Sequence, residues 1–497
     1  MAVKVVVVAL YVIAMVFIGY LGMRKTKSLS DFFLGGRTLG PWLSAFTYGT
    51  SYFSAVLFIG FAGSIGWGFG YSGLWIALGN TLVGTLLAWW VLARRTHAMT
   101  VHLNALTMPE FFEARYQSPF LKVFSALVIF VFLVPYSASV YKGLSHLFEV
   151  NLGIPYGYAL TFMAVLTAVY LIMGGYHAIA MTDVVQGSVM VVGVIVMVAF
   201  IIARAGGFGA ATERLGEIHP ALTSAVGPPG IIPLLSLVVL TSLGPWGLPQ
   251  MIQKFYSIRG REMIRKAILV STVFSIIIAG GAYYSGALTR VFCSPELTPD
   301  LFTAEGKPMV DKLMPYLITY AVPGALGVII LLLVLSASMS TLSSLVLVSS
   351  SAIAVDLVGH VGRGRVDQSR ITALMRLLCA LFVVVSVYIA LRQPAIIVTL
   401  MSISWGTIAG CFLAPFLYGL YWKGTTKGGA IGGAFSGLLI SIGLLWFWKL
   451  DATLAGSIAM VAPLAVVPLI SGVTPRFQRA WVEEVFSCLA TRGDAKR

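Results

Sequence analysis

A run rich in hydroxyl side chains, Ser336–Ser344, interrupts the apolar stretch 328–348, which is long enough to cross a bilayer as a helix. On a helix Ala337, Ser340 and Thr341 share one face, because residues three and four apart are neighbours. That face offers two hydroxyl oxygens, and a backbone carbonyl if the helix loosens at Ala337. Such neutral oxygens suit a small hard cation such as Na+. The alternative is that these serines only pack closely and bond to their own backbone.

A second stretch, Phe46–Ala55, combines Thr, Ser and Gly with aromatic residues and is followed by a series of glycines from Gly60 to Gly70. Gly, Ser and Thr at this density weaken a helix. Transporters use a discontinuous helix near the bilayer midplane to expose carbonyls to ions. Small residues also allow close packing between helices, and both interpretations can hold together.

Two charged residues accompany the apolar stretches. Asp183 begins the sixth of them, either as a helix N-terminal acid stabilised by the helix dipole or as a way-station for cations leaving towards the cytoplasm. Lys142 follows Tyr136 by two helical turns. It either snorkels to the outer headgroups or attracts a carboxylate-bearing solute to the outer vestibule.

The elements that position these residues are apolar helices. Of 497 residues, 58% are hydrophobic and 10% are charged, and the mean hydropathy is +0.93. Soluble domains carry roughly 25% charged residues, so we predict an all-α, multi-pass membrane protein. The pattern indicates about thirteen spans: residues 4–23, 43–65, 72–93, 120–146, 155–174, 182–204, 231–253, 267–289, 316–346, 371–391, 394–420, 428–447 and 453–472.

The net charge of +15 follows this topology and does not indicate a nucleic-acid partner. With the N-terminus outside, 24 of the 33 Lys and Arg residues fall on the inner side. The positive-inside rule therefore places the C-terminus in the cytoplasm. We expect a plasma-membrane protein surrounded by lipid, with an amphipathic tail helix from Arg476 to Leu489 on the cytoplasmic leaflet.

Motifs for other chemistry are missing from the sequence. It has no GxxxxGK[ST] phosphate loop, no HExxH and no Cys/His cluster, so we expect neither ATP hydrolysis nor a catalytic site. An ion gradient is then the expected driver. Because the spans carry almost no acids, we favour Na+ over H+ as the coupling ion, without an organic cofactor.

Several motifs, in order along most of the chain, resemble those of the sodium:solute symporters, in particular the sodium/proline and sodium/pantothenate permeases. They are Asp31–Arg37, Leu106–Tyr116, Gly174–Tyr176 with Thr182–Gln186, Ser340–Ser343, and Gly419–Lys423 with Gly428–Ala430. The resemblance implies a LeuT-type core of two inverted five-helix repeats. The corresponding division is 1–42 for the first helix and its loop, 43–230 and 231–420 for the repeats, 421–475 for two accessory helices, and 476–497 for a cytoplasmic tail.

The resemblance also implies residue roles. The family's Na+ ligands fall on the backbone carbonyls of Thr50, Phe53 and Ala337 and on the hydroxyls of Ser340 and Thr341. Its acid on the cytoplasmic ion path falls on Asp183.

The chain departs from the sodium/proline carriers in two places. Tyr52 replaces an Asp that supports Na+ use, and the segment Thr241–Gln250 lacks their spacing of aromatic residues. Tyr136 matches a tyrosine on their substrate side. Proline is therefore in doubt as the solute.

Together these features predict Na+-coupled import of a small organic solute by alternating access. An amino acid, a pantothenate-like vitamin or a monocarboxylate is expected. A solute sensor that keeps the symporter fold and an uncoupled facilitator remain as alternatives, and the oligomeric state is open. The expected solute contacts are Ser51, Ser54, Asn80, Tyr136, Trp246 and Gln250.

Overall fold

The computed structural model describes residues 2–24, 29–173, 175–323, 326–358 and 368–489. Within these ranges the chain is helical, and the only β-type pairings are two isolated bridges. Gly174, which belongs to one of the motifs above, and the end of the predicted tail, 490–497, lie outside the described residues.

The α-helices of the described residues are numbered here in chain order: α1 (Ala2–Met23), α2 (Leu29–Leu34), α3 (Pro41–Tyr52), α4 (Ala62–Phe69), α5 (Leu74–Thr81), α6 (Arg94–His102), α7 (Met108–Tyr116), α8 (Pro119–Leu152), α9 (Tyr156–Met173), α10 (Tyr176–Ala205), α11 (Phe208–Ile218), α12 (Ile231–Leu243), α13 (Pro249–Tyr256), α14 (Ile264–Ala287), α15 (Thr289–Phe292), α16 (Val310–Ala321), α17 (Gly327–Ser351), α18 (Gln368–Arg392), α19 (Ile397–Tyr421), α20 (Lys427–Trp446), α21 (Ala452–Val473) and α22 (Arg479–Ser487).

The multi-pass helical character predicted from the sequence is confirmed. By length and apolar composition, 10 helices of the described residues can cross a membrane, or up to 11 when the bent pair Ile231–Trp246 and Pro249–Tyr256 is included. One of them, Val56–His102, spans 47 residues, although Gly70 within it has a positive φ of 58°. The apolar part of α9, Tyr156–Thr167, is shorter than the others. The count of thirteen spans stays a prediction.

The second predicted span is broken where its sequence is poorest in helix formers. The helix α3 ends at Tyr52 because Phe53 adopts an extended backbone, with φ −105° and ψ 105°. The chain resumes as a wide π-helical turn, Val56–Phe61, which leads into α4. Since the last carbonyls of a helix have no intrahelical partner, the end of α3 presents free acceptors in the interior of the protein.

The seventh predicted span is broken in the same way. The helices α12 and α13 meet at an angle of 41°. Pro245 has no N–H, so it cannot bond the carbonyl of Thr241 four residues earlier. The hydroxyl of Tyr52 donates to that carbonyl instead, at 2.7 Å. One hydrogen bond thus joins the breaks of the two discontinuous helices.

The predicted ninth span, 316–346, was wrong in its bounds. Its first part belongs to the separate helix α16, and α17 begins only at Gly327 because Pro323 interrupts the helix. The helix then continues past Ser351 to Val358. Asp356, expected beyond the span, is therefore inside this helical run and fully buried.

The helix α17 lies at the centre of the protein and is buried along almost its whole length. Close approach between other helices relies on glycine. A Cβ placed on Gly66 of α4 would lie 2.0 Å from the carbonyl carbon of Gly286 in α14, so only glycine fits there.

One end of the bundle collects arginines whose guanidinium groups donate to loop and helix carbonyls, and we call it the basic end. Arg37 bonds to Ala105 at 2.7 Å, and Arg115 bonds to Gly419 at 3.0 Å. The tail helix α22 also packs here, with Val485 and Phe486 buried. Its apolar side therefore faces protein, in contrast to the predicted contact with the lipid leaflet.

Candidate functional site

The predicted cation ligands of α3 and α17 meet at the break. The hydroxyl of Ser340 donates to the carbonyl of Thr50 at 2.8 Å, and that of Thr341 donates to the same carbonyl at 3.2 Å. All three residues are fully buried. The carbonyl is available because α3 ends two residues later and leaves it without a helical partner.

The other two predicted ligands are arranged differently. Phe53 is outside helical geometry, so its carbonyl is not used by α3. Ala337 lies one turn before Thr341 on the same face of α17, but the helix is continuous through it. The loosening at Ala337 that the sequence analysis allowed for is therefore absent. One lone pair of the Ala337 carbonyl accepts the helical hydrogen bond, so only the other lone pair could bind a cation.

A buried lysine lies next to this group, and the sequence analysis missed it. The predicted span 231–253 ends just before Lys254, but this residue belongs to α13 and is fully buried. Its ammonium donates to the hydroxyl of Ser344 at 3.0 Å and lies 4.8 Å from the ring centre of Tyr176. Ser344 in turn bonds to Ser51 at 3.0 Å. Ser51, predicted as a solute contact, is thus engaged in this polar cluster.

Asp183 is fully buried in α10, two turns after the helix begins. The dipole effect is confined to the first turn, so the interpretation as a helix N-terminal acid does not fit this position. Neither carboxylate oxygen has a hydrogen bond of good geometry. The carboxylate faces the hydroxyl of Thr50 and interacts electrostatically with Lys254. It therefore lies between the α3 break and the basic end.

A small cavity opens beside the break and is lined by three of the predicted solute contacts, Ser54, Asn80 and Tyr136. The hydroxyl of Tyr136 faces Ser54 and Thr341. One side chain therefore contacts the cavity and the candidate cation ligands together. The remaining walls are Tyr52, Phe53, Val56, Leu57, Phe61, Thr241, Tyr283, Met401 and Trp405.

Two further predicted contacts do not line this cavity. The indole of Trp246 donates to the carbonyl of Val83 at 3.0 Å. The side-chain amide of Gln250 is buried in α13 and has no hydrogen-bond partner.

Trp405 of α19 is a wall residue that sequence reasoning missed. Its ring packs edge-on against Tyr136, at 5.6 Å between centroids, and stacks on Tyr52 at 6.0 Å. Its indole N–H is buried and unpaired, so it is available to a bound molecule. The signal was weak, because a single Trp in an apolar span has no distinguishing spacing.

Both interpretations of Lys142 were wrong. Its ammonium is buried, pairs with Asp311 of α16 at 2.7 Å and donates to the carbonyl of Ala395 at 3.0 Å. It therefore neither reaches the headgroups nor stands free for a solute carboxylate. Asp311 also faces the N–H of Ile397 at the start of α19. This pair ties α8, α16 and α19 together at the end of the bundle opposite the basic end.

Comparison with known proteins gives a consistent result. The sodium:solute symporter family model matches residues 32–437. The sodium/proline symporter of Escherichia coli (strain K12) is 30% identical over 447 residues, covering 88% of this chain and 86% of the relative. The sodium/proline symporter of Staphylococcus aureus (strain bovine RF122 / ET3-1) is 29% identical over 480 residues, covering 94% and 88%.

Solved structures share the fold. A Na+-coupled sialic acid symporter in a substrate-bound outward-open state superposes with a TM-score of 0.78 at 16% identity, covering 96% of this chain and 99% of that one. A nucleobase-cation-symport-1 family transporter in a closed conformation gives 0.56 at 14% identity, covering 92% and 99%. At these identities the likeness concerns the fold alone, and it confirms the predicted LeuT-type class.

Proposed function

Because the chain belongs to the sodium:solute symporter family, we propose that it imports a small carboxylate-bearing solute together with Na+ by alternating access. The observation that best supports this proposal is the convergence of Ser340 and Thr341 on the carbonyl of Thr50. These two hydrogen bonds join the broken helix α3 to the central helix α17, and every atom that could bind a cation there is an oxygen.

In the proposed site, Na+ binds to these oxygens and to the carbonyls of Phe53 and Ala337. The ligands are neutral and the Asp183 carboxylate is nearby, so the site has the low charge that suits a monovalent ion. Both hydroxyls donate to the Thr50 carbonyl. When a cation binds, their hydrogens turn away and their lone pairs face the ion. Binding therefore exchanges hydrogen bonds between α3 and α17 for a shared ion.

The solute is proposed to bind in the cavity beside the break. None of the residues that line it is charged, so an ionised carboxylate must find its countercharge elsewhere. Na+ on the far side of Tyr136 supplies this countercharge, because the Tyr136 hydroxyl faces both Ser54 and Thr341. The relatives are sodium/proline symporters, which favours an amino acid, with pantothenate-like vitamins and monocarboxylates as further members of the carboxylate class.

The direction of transport follows from charge. The basic end is proposed to face the cytoplasm, which places the C-terminus inside and the N-terminus outside the plasma membrane. Na+ then leaves past Asp183. Each net charge that moves inward gains about 2.3 kcal/mol per 100 mV, which sustains a roughly fifty-fold gradient of a zwitterionic solute for one Na+. A monocarboxylate anion carried with one Na+ moves no net charge and is driven by the Na+ concentration gradient alone.

Uptake by the purified protein in liposomes tests this function. Labelled proline, pantothenate, acetate, pyruvate and a sugar are each supplied with an inward Na+ gradient and again with K+ in place of Na+. We expect accumulation of one carboxylate-bearing solute with Na+ only. Equal uptake in Na+ and K+ would indicate a facilitator, and no uptake of any solute would favour a sensor.

The Na+ site itself is tested by removing both hydroxyls, as in Ser340→Ala with Thr341→Val. This variant should lose Na+ stimulation while it is produced at the usual level. Ser338→Ala is a matched control, because that hydroxyl bonds within its own helix to Val334 at 2.7 Å. Retained Na+ stimulation in the double variant would exclude these hydroxyls as ligands.

A further inference from the structure

A second cavity with unpaired polar atoms lies between the candidate Na+ site and the basic end. It is small and is lined by residues of α13, α17 and the loop before α7. Three oxygens on its walls are buried and have no hydrogen-bond partner: Oδ2 of Asp356, Oε1 of Gln253 and the hydroxyl of Tyr256. Such atoms are costly unless something binds them.

Among the described residues, no cation contacts the Asp356 carboxylate. Its other oxygen, Oδ1, accepts a hydrogen bond from Thr107 at 2.7 Å. The basic side chain in its electrostatic surroundings is Lys122, which pairs with Glu113 at 2.8 Å. Glu110 adds further negative potential. A buried carboxylate without compensation is unfavourable, so it must hold either a proton or a cation.

The cavity is connected to the candidate Na+ site by one face of α17. Ser340, Ser344 and Ser351 lie on this face at helical spacing, and Ser351 lines the cavity. From Ser340 to Ser351 the helix rises about 16 Å. Along this path an ion meets the hydroxyls of Ser340 and Ser344, passes the apolar turn of Leu347 and Val348, and reaches Ser351. The Asp356 carboxylate follows before the basic end.

We propose that Asp356, Gln253 and Tyr256 form a second, transient Na+ site on the cytoplasmic side of the release path. The proposal rests on the Na+-coupled function above. A carboxylate, an amide carbonyl and a phenol oxygen are hard donors, which suit such an ion and not a soft metal. The site receives Na+ that leaves the α3 break and is also the first site that cytoplasmic Na+ reaches.

The test is the dependence of solute efflux on internal Na+, measured on full-length protein in liposomes of defined orientation. In Asp356→Asn the internal Na+ concentration for half-maximal efflux should rise about tenfold, which is the loss of one charged ligand. The external Na+ requirement for uptake should be unchanged. Tyr256→Phe should shift the internal requirement in the same direction by a smaller factor. Glu262→Gln, an exposed acid at the same end, serves as the matched control and should leave both requirements unchanged.

The outcomes separate the two proposals. Asparagine mimics a protonated aspartic acid, so an unchanged internal requirement in Asp356→Asn would show that the carboxyl holds a proton and would overturn the second site. Equal increases in the internal and the external Na+ requirement would assign the effect to the Na+ site at the α3 break. This result would also overturn the proposed second site. If the unsubstituted protein shows no Na+ stimulation, the proposed function itself fails.

Discussion

The buried ion pair between Lys142 and Asp311 gives a prediction whose size can be worked out. Both side chains are less than one-tenth exposed, at 6% and 8%, and their charged atoms are 2.7 Å apart. Removing one partner leaves the other charge buried and unpaired, which costs about 3–5 kcal/mol. Replacing both partners by apolar side chains removes both desolvation costs and is close to neutral.

These energies convert into a measurable shift in melting temperature. Unfolding entropy is roughly 2.1 cal/mol/K per residue, or about 1 kcal/mol/K for this chain of 497 residues. Lys142→Met or Asp311→Asn should therefore lower the melting temperature by about 3–5 °C. Lys142→Met combined with Asp311→Leu should recover most of that loss. Thermal denaturation of the detergent-solubilised protein, followed by size-exclusion chromatography, measures all three variants.

A neighbouring pair provides the control. Lys312 lies 3.4 Å from Glu149, and both side chains are about 30% exposed, so Lys312→Met should change stability by only about 0–1 kcal/mol. Two results would refute the reasoning about the buried pair. One is a double variant that loses the sum of the single losses. The other is a Lys142→Met protein whose uptake of anionic solutes falls while its melting temperature and its uptake of neutral solutes stay unchanged.

Two further predictions concern the contacts that hold the broken helices in place. Tyr52→Phe leaves the carbonyl of Thr241 without its donor, so the melting temperature should fall by about 1–3 °C, corresponding to the cost of one unsatisfied buried acceptor; an unchanged value would show that the bond is dispensable. Gly66→Ala places a Cβ against the backbone of Gly286 in α14 and should sharply reduce the yield of folded protein. The control is Gly280→Ala, also in α14, which has open space around it and should be tolerated. The monodisperse fraction after solubilisation measures both variants.

The sequence contained much of the candidate cation site. Ser340 and Thr341 could be placed on one face because helical spacing is local information. The weakness of the helix around Thr50 followed from its Gly, Ser and Thr neighbours. Only the family resemblance indicated that the segments around Thr50 and Ser340 meet, because these residues are 290 positions apart in the chain.

The buried charges could not be found in this way. The partner of Lys142 is 169 positions away in a helix that the hydropathy pattern had merged with α17. The predicted span 231–253 stops before Lys254 because a Lys next to an apolar stretch normally marks its end. Only the bend between α12 and α13 carries this residue inside. In each case a short helix next to a proline break was too brief for the apolar pattern to register: α13 follows its break and α16 precedes its own.

The end of α3 links ion and solute in the proposed mechanism. Thr50 carries the carbonyl of the proposed cation site. Two residues later Tyr52 forms a wall of the proposed solute cavity and bonds to the carbonyl of Thr241 in α12. A helix end this short cannot move one of these residues without the other. When Na+ replaces the hydrogen bonds between Thr50 and α17, the displaced turn carries Tyr52 with it and changes the cavity. A bound solute would in turn affect the ion site through Tyr136, whose hydroxyl faces Ser54 and Thr341. Coupling between Na+ and solute therefore needs no long pathway in the proposed mechanism, because the last turn of α3 belongs to both the ion site and the solute cavity.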